Sequence, residues 1–89
     1  MKAIDLINEF DFLKVRRTMV ALDWEWHEDG IPGIPTLIEV ATGLLERLDD
    51  ECIETSTGGF TARWYYNEEG TKVYELKFTA VSLSTEEIG

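Results

Sequence analysis

Hydrophobic residues recur every three or four positions in the first half of the chain and at every second position in the second half. Asp11 has the short polar side chain that favours a helix N-cap, and the apolar residues after it share one helical face. A first helix is therefore predicted from residue 11 or 12 to about residue 22 or 24. A short segment capped by Asp5 is predicted to precede it and to end at Phe10. The two prolines in residues 30–35 exclude a helix there and predict a turn.

A second helix is predicted over residues 37–49. Thr36 and Glu39 have the spacing of a capping box, in which a hydroxyl and a carboxylate each accept a hydrogen bond from an amide of the first helical turn. The apolar face is broad, which predicts burial against more than one neighbour. It consists of Ile38, Ala41, Leu45 and Leu48, with Leu37, Val40 and Leu44 beside them.

Beyond Cys52 the alternation predicts strands. The pattern predicts a strand over residues 60–66, a hairpin turn over residues 67–70 and a return strand from residue 71 to about 83. A short strand at residues 52–55 is predicted to pair with residues 60–66 through a turn in which Gly58, Gly59 or both adopt positive φ. The side chains predicted to face the helices are Phe60, Ala62, Trp64, Tyr66, Tyr74, Leu76, Phe78 and Ala80. Those predicted to face outward are Thr61, Arg63, Tyr65, Val73, Glu75, Lys77 and Thr79.

These elements predict an α+β fold with two helices packed on a small three-stranded antiparallel meander. One domain is expected over residues 1–89, with a flexible polar tail at residues 84–89, because a chain of 89 residues has room for a single modest core. The predicted core joins Phe12, Val15, Met19, Leu22, Ile38, Ala41, Leu45, Leu48, Phe60, Trp64, Leu76 and Phe78.

Composition places the chain among folded cytoplasmic proteins. Apolar residues make up 44% of it, which suffices for a core, and no leader or long apolar run predicts secretion or a membrane span. A single cysteine, Cys52, excludes an intramolecular disulfide. We therefore expect a cytoplasmic protein.

The charge balance is strongly acidic. Eighteen Asp and Glu residues against eight Lys and Arg give a net charge of −10, which repels nucleic-acid phosphates and anionic membranes. We therefore predict that the protein binds neither nucleic acids nor membranes directly. The acids form clusters over residues 23–29 and 46–54, with pairs at 68–69 and 86–87.

No motif predicts catalysis or a cofactor. A phosphate loop needs a helix and usually a lysine after its glycines, whereas a strand follows Gly58 and Gly59. His27, the only histidine, has no second histidine or cysteine pair at metal-binding spacing, and the acids around Cys52 disfavour its thiolate. The sequence therefore predicts a protein that is not an enzyme and that binds neither a metal nor a cofactor.

Trp24 and Trp26 allow two interpretations. Two positions apart, they cannot share a helical face. Either both pack against the turn at residues 31–35, or one of them is an exposed anchor of a protein interface. Interface hot spots commonly combine such an aromatic residue with a polar rim, which would be supplied here by Asp23, Glu25, Glu28 and Asp29.

Three stretches of the sequence are distinctive: DFLKV at residues 11–15, LDWEW at residues 22–26 and STGGF at residues 56–60. In these stretches, and over most of its length, the chain resembles a family of small, uncharacterised phage and prophage proteins. It implies a viral origin and a setting in the host cytoplasm, and it implies no reaction.

Two alternative functions are therefore considered. In the first, a small acidic phage protein binds a host protein, as an inhibitor or nucleic-acid mimic directed at a defence or nucleic-acid-handling protein. In the second, a non-catalytic accessory or structural phage protein acts by self-association, for example as a homodimer. The residues predicted to bind the partner are Asp23, Trp24, Glu25, Trp26, Glu46, Asp49, Asp50, Glu51 and Tyr65.

Overall fold

A computed structural model describes residues 2–24, 30–50 and 53–86, with the side chains of residues 49 and 50 left out of the description. The helical part consists of a 3-10 helix at Ala3–Asn8 and two α-helices, α1 at Phe12–Ala21 and α2 at Ile34–Asp50. The strands are β1 at Glu54–Thr57, β2 at Phe60–Tyr66, β3 at Lys72–Phe78 and β4 at Val81–Glu86. The α+β class is confirmed, but within the described residues there are three helices and four strands rather than two and three.

The four strands form one antiparallel sheet in the order β1-β2-β3-β4. The predicted single return strand is wrong, because the chain reverses at Thr79 and Ala80 and pairs Phe78 with Val81. Thr79 has a φ of 48°, a region that β-branched residues rarely occupy, and no glycine or asparagine marks this turn. Residues 84–86, predicted to belong to a tail, pair with β3, and residues 87–89 lie outside the described part of the chain.

The helices cover one face of the sheet, and the core lies between the two layers. α2 contacts the 3-10 helix, α1, β1 and β2, as its broad apolar face predicted. Nine of the residues predicted for the core are buried: Phe12, Val15, Met19, Ala41, Leu45, Leu48, Phe60, Leu76 and Phe78. The core also includes Ala3, Leu6 and Phe10 from the opening segment, and Leu37, Leu44, Tyr74 and Val81 from the other elements.

Other burial predictions are corrected. Leu22 is 59% exposed because it follows the last residue of α1, and Ile38 and Trp64 are only partly buried. Ala80 is exposed in the β3–β4 turn. Two further positions differ from the alternation, and both lie near the turn between β2 and β3. Val73 is buried although its position faces away from the helices, and Tyr66 is 64% exposed although its position faces them.

The helix starts follow from local hydrogen bonds. The Asp11 carboxylate accepts from the backbone N–H of Lys14 at 3.0 Å, which confirms its N-cap role. Asp5 accepts from the backbone N–H of Lys2 at 2.9 Å, so the 3-10 helix begins before Asp5. The start predicted for α2 is wrong, because the helix begins at Ile34. Pro35 is tolerated there because backbone N–H groups in the first turn of a helix have no hydrogen-bond partner within the helix.

The end of α1 is a Schellman motif. The backbone N–H of Trp24 donates to the Met19 carbonyl at 2.8 Å, and that of Asp23 donates to the Val20 carbonyl at 3.2 Å. Asp23 occupies the left-handed region with a φ of 52°, which an aspartate tolerates better than most residues. The motif turns the chain back towards the sheet, so that the Trp24 indole lies 5.3 Å from the Phe78 ring, centroid to centroid.

Candidate partner-binding surface

Five carboxylates gather around the last residues of β4. Asp5 and Glu9 of the opening segment line a cleft with Thr85, and Glu68 and Glu69 of the β2–β3 turn line a second one with Glu86. Thr85 pairs with Tyr74 and Glu86 pairs with Val73, so the two residues point to opposite faces of the sheet and the two groups lie on opposite faces at the same end of β4. We call Asp5, Glu9, Glu68, Glu69 and Glu86 the acidic end; all five residues are exposed.

The β2–β3 turn holds its carboxylates in place through Asn67. The Asn67 side-chain oxygen accepts from the backbone N–H groups of Glu69 at 3.0 Å and of Thr71 at 2.9 Å. Its amide nitrogen donates to the Glu86 carboxylate at 3.3 Å, which joins the turn to β4. An Asx-type turn of this kind fixes the local backbone, so the acidic side chains project from a defined loop.

An aromatic cluster lies beside the acidic end on the face of the sheet that the helices cover. The rings of Trp64 and Tyr66 meet edge to face at 5.5 Å. The Lys72 ammonium lies 4.3 Å from the Trp64 ring centroid and 5.1 Å from that of Tyr74, within cation–π range. This arrangement holds the one lysine of the cluster over the rings and leaves Tyr66 as its most exposed aromatic side chain.

The opposite face of the sheet carries mixed charges. Arg63 donates to the Glu75 carboxylate at 2.8 Å, and its guanidinium lies 4.9 Å from the Tyr65 ring centroid. The hydrogen bond and the charge of Glu75 raise the pKa of Arg63 above its usual range. A shallow depression there is lined by both signs, with Glu54 and Lys77 beside the pair. Apart from Glu86 at the end of β4, this face therefore adds little to the acidic field.

Of the nine residues predicted to bind a partner, the structure describes the side chains of four. Asp23 is exposed beyond α1, Glu46 is exposed on α2, and Tyr65 is 38% exposed on the sheet face away from the helices. Trp24 is partly buried against the core. Asp49 and Asp50 end α2, with side chains outside the description, and Glu25, Trp26 and Glu51 lie outside the described residues altogether.

Sequence reasoning missed the acidic end. The signal available was the pair Glu68 and Glu69 in a turn that the sequence did predict. Glu86 lies near that pair only because the chain turns at Thr79 and Ala80, and neither residue type predicts a turn. The contribution of Asp5 and Glu9 depends on the 3-10 helix packing near β4, a long-range contact that no local pattern indicates.

The double-glycine turn is structural. Gly58 and Gly59 have φ values of 57° and 91°, which confirms the predicted positive φ, and they link β1 to β2 as a two-residue turn. The space beside Gly59 is filled by the Trp24 and Phe78 rings. Among the described residues, no group of three His, Cys, Asp or Glu side chains is placed to hold a metal ion. Cys52 and His27 lie outside them.

Comparisons with protein-family models, with curated proteins and with solved structures give no significant match to this chain. In the described part of the chain, no helix combines the length and hydrophobicity needed to cross a bilayer.

Proposed function

We propose that this chain is a phage-encoded protein that binds a host protein and has no catalytic activity of its own. Its partner is a protein with a basic surface in the host cytoplasm, such as a defence or nucleic-acid-handling protein, which it inhibits by occupying the site of a nucleic acid. The observation that carries the proposal is the acidic end, where separate segments of the chain place carboxylates on both faces of one end of the sheet, with one exposed tyrosine on each face.

Charge supports such a function through association rate and selectivity. Carboxylates near a surface act over about 8 Å at physiological salt, so they attract a basic partner at close approach and repel acidic molecules, including nucleic acids. Affinity has to come largely from apolar anchors. Tyr66 and Tyr65 are the candidates, because both are exposed near the acidic end, whereas Trp24 contributes its ring to the core margin.

Self-association is the second candidate function, and one observation favours it. Strand β4 lies at an edge of the sheet and carries no charged residue from Val81 to Thr85, so it lacks a common protection against pairing with another strand. A net charge of −10 on each copy opposes that pairing. We therefore favour a basic partner over a second copy.

The experiment is affinity capture from nuclease-treated host lysate with two variants of equal charge. The first changes Glu68, Glu69 and Glu86 to glutamine, and the second changes Glu46 to glutamine and Asp49 and Asp50 to asparagine. Both variants shift the net charge by three, from −10 to −7, so overall charge cannot explain a difference between them.

The proposal expects a stoichiometric host protein that the wild-type chain and the second variant retain equally and that the first variant retains poorly. Loss of capture in the second variant alone would move the binding surface to the end of α2, as the sequence predicted. Recovery of nothing but further copies of the chain would favour self-association and contradict the proposal.

A further inference from the structure

We infer that β4 is the docking strand for an extended, lysine- or arginine-bearing segment of the partner, which pairs with it as a fifth strand of the sheet. This inference rests on the proposed function and names the partner's binding element. Strand addition supplies main-chain hydrogen bonds for affinity and uses alternate side chains for selectivity.

The first support is the chemistry of the strand itself. β4 has one neighbour in the sheet, β3, and pairs with it in continuous register from Val81 to Glu86, without a bulge. Ser82 and Ser84 are exposed, and residues 81–85 contain neither a charge nor a proline. Natural edge strands usually carry such features because they block pairing.

The other edge of the sheet differs. β1 has only four residues, Glu54–Thr57, it begins with a carboxylate, and α2 packs against it. A short edge strand is one usual protection against pairing. β4 also ends with a carboxylate, Glu86, and contacts the 3-10 helix, but it has six residues, so its length makes it the edge better suited to accept a further strand.

The second support is the charge around β4. The acidic end places carboxylates on both faces of the sheet at the last residues of β4. On the helix side, a cleft of about 260 Å³ between β4 and the 3-10 helix is lined by Asp5, Glu9, Leu6, Asn8 and Thr85. Pockets for drug-sized ligands are usually larger, at about 300–1,000 Å³. The cleft thus suits a single long side chain, and two carboxylates at its wall favour a cationic one.

The same charges disfavour a second copy as the occupant. Pairing two β4 strands would bring together two chains that each carry a net charge of −10, with a carboxylate group around each strand. These carboxylates attract a basic segment, whereas they repel a second copy of the acidic chain.

The test uses the intact protein and three blocked heptapeptides. The probe alternates lysine and valine, starting and ending with lysine; one control replaces each lysine with glutamate. The other control keeps the lysines and methylates every backbone nitrogen of the peptide, which preserves charge and removes the donors of both strand edges. Binding is measured by titration calorimetry, and hydrogen exchange of the β4 amides is followed by NMR with and without peptide.

The inference expects the lysine peptide to bind at least about tenfold more tightly than either control. It also expects exchange of alternate β4 amides, those pointing away from β3, to slow by about tenfold or more when the peptide is bound. Changing Glu9 and Glu86 to glutamine should weaken the lysine peptide, whereas changing Glu39 and Glu46 on α2 should not.

Equal binding of the methylated peptide, or protection on β1 instead of β4, would overturn the inference. Protection of β4 that rises with protein concentration in the absence of peptide would overturn it as well, because a second copy would then be the occupant. The proposed function is tested separately. If a host protein is captured through the acidic end but the β4 amides are not protected from hydrogen exchange, only the inference of a fifth strand is refuted. Peptide binding at β4 with no host protein captured refutes the proposed function instead.

Discussion

The indole of Trp24 lies so close to Gly59 that a β-carbon added to this glycine would be 2.7 Å from Cζ2 of the indole. The same atom would be 2.6 Å from Cε2 of Phe78. Real β-carbons do not approach neighbours so closely, so the β1–β2 turn can close over the core only with glycine at this position. The contact connects the end of α1 to the sheet.

We predict that Gly59→Ala lowers the free energy of unfolding by about 2–4 kcal/mol. Two costs add: an alanine at positive φ, and overpacking against two rings. Gly70→Ala is the matched control, because Gly70 also has positive φ, 80°, but a β-carbon there would meet open space. It should cost only about 1 kcal/mol. Urea denaturation measures both, and equal losses would contradict the Trp24–Gly59 contact.

The end of α1 is tested by truncating Leu22, with Leu45 of α2 as the buried comparison. Leu45→Ala should lower the free energy of unfolding by about 2–5 kcal/mol, because Leu45 is fully buried and its truncation leaves a cavity. Leu22→Ala should cost less than about 1 kcal/mol, because Leu22 lies in solvent beyond the helix end. A loss at Leu22 as large as that at Leu45 would restore the sequence-based placement of Leu22 in the core.

The helix faces could be predicted because periodicity reports which side of an element is apolar. Val15, Met19 and Leu45 are buried as the spacing indicated. Periodicity does not report where the element stops, so Leu22 was assigned to a helix that had already ended at Ala21. The 3-10 helix contributes Leu6 to the core through packing that its own six residues do not specify.

Relief of strain at the β3–β4 turn should stabilise the protein. Thr79 at a φ of 48° is expected to cost about 1–3 kcal/mol. Glycine removes that strain at an entropic cost of about 0.5–1 kcal/mol, so Thr79→Gly should raise the free energy of unfolding by about 1 kcal/mol. The control is Ala80→Gly, which has no positive φ to relieve and should destabilise. Thermal or urea unfolding of both variants decides it, and destabilisation by Thr79→Gly would mean that the turn is not strained.

The missed turn explains why the candidate site was only partly predictable. Turn prediction relies on glycine, proline and asparagine, and Thr79 with Ala80 offers none of them. Without that turn, β4 does not return along β3, and Glu86 is not brought to Asn67. The acidity itself was evident from composition, whereas its concentration at one end of the sheet depends on contacts between residues distant in sequence.

The purified protein should not bind duplex or single-stranded DNA at micromolar concentrations in physiological salt. A net charge of −10 gives no counterion release on a phosphate backbone. The most exposed aromatic side chain of the sheet, Tyr66, which could stack on a base, lies next to the turn that carries Glu68 and Glu69. Fluorescence anisotropy with labelled oligonucleotides is the measurement. Saturable binding would contradict the nucleic-acid-mimic proposal.

The most direct test of partner binding through the acidic end is the association rate constant for the captured host protein. It should be measured by surface plasmon resonance for the wild-type chain and for the variant with glutamine at Glu68, Glu69 and Glu86. We predict that the variant associates about tenfold more slowly at about 50 mM salt, that the difference shrinks at about 300 mM, and that dissociation changes little. Equal association rates at low salt would contradict the claim that the acidic end guides the partner.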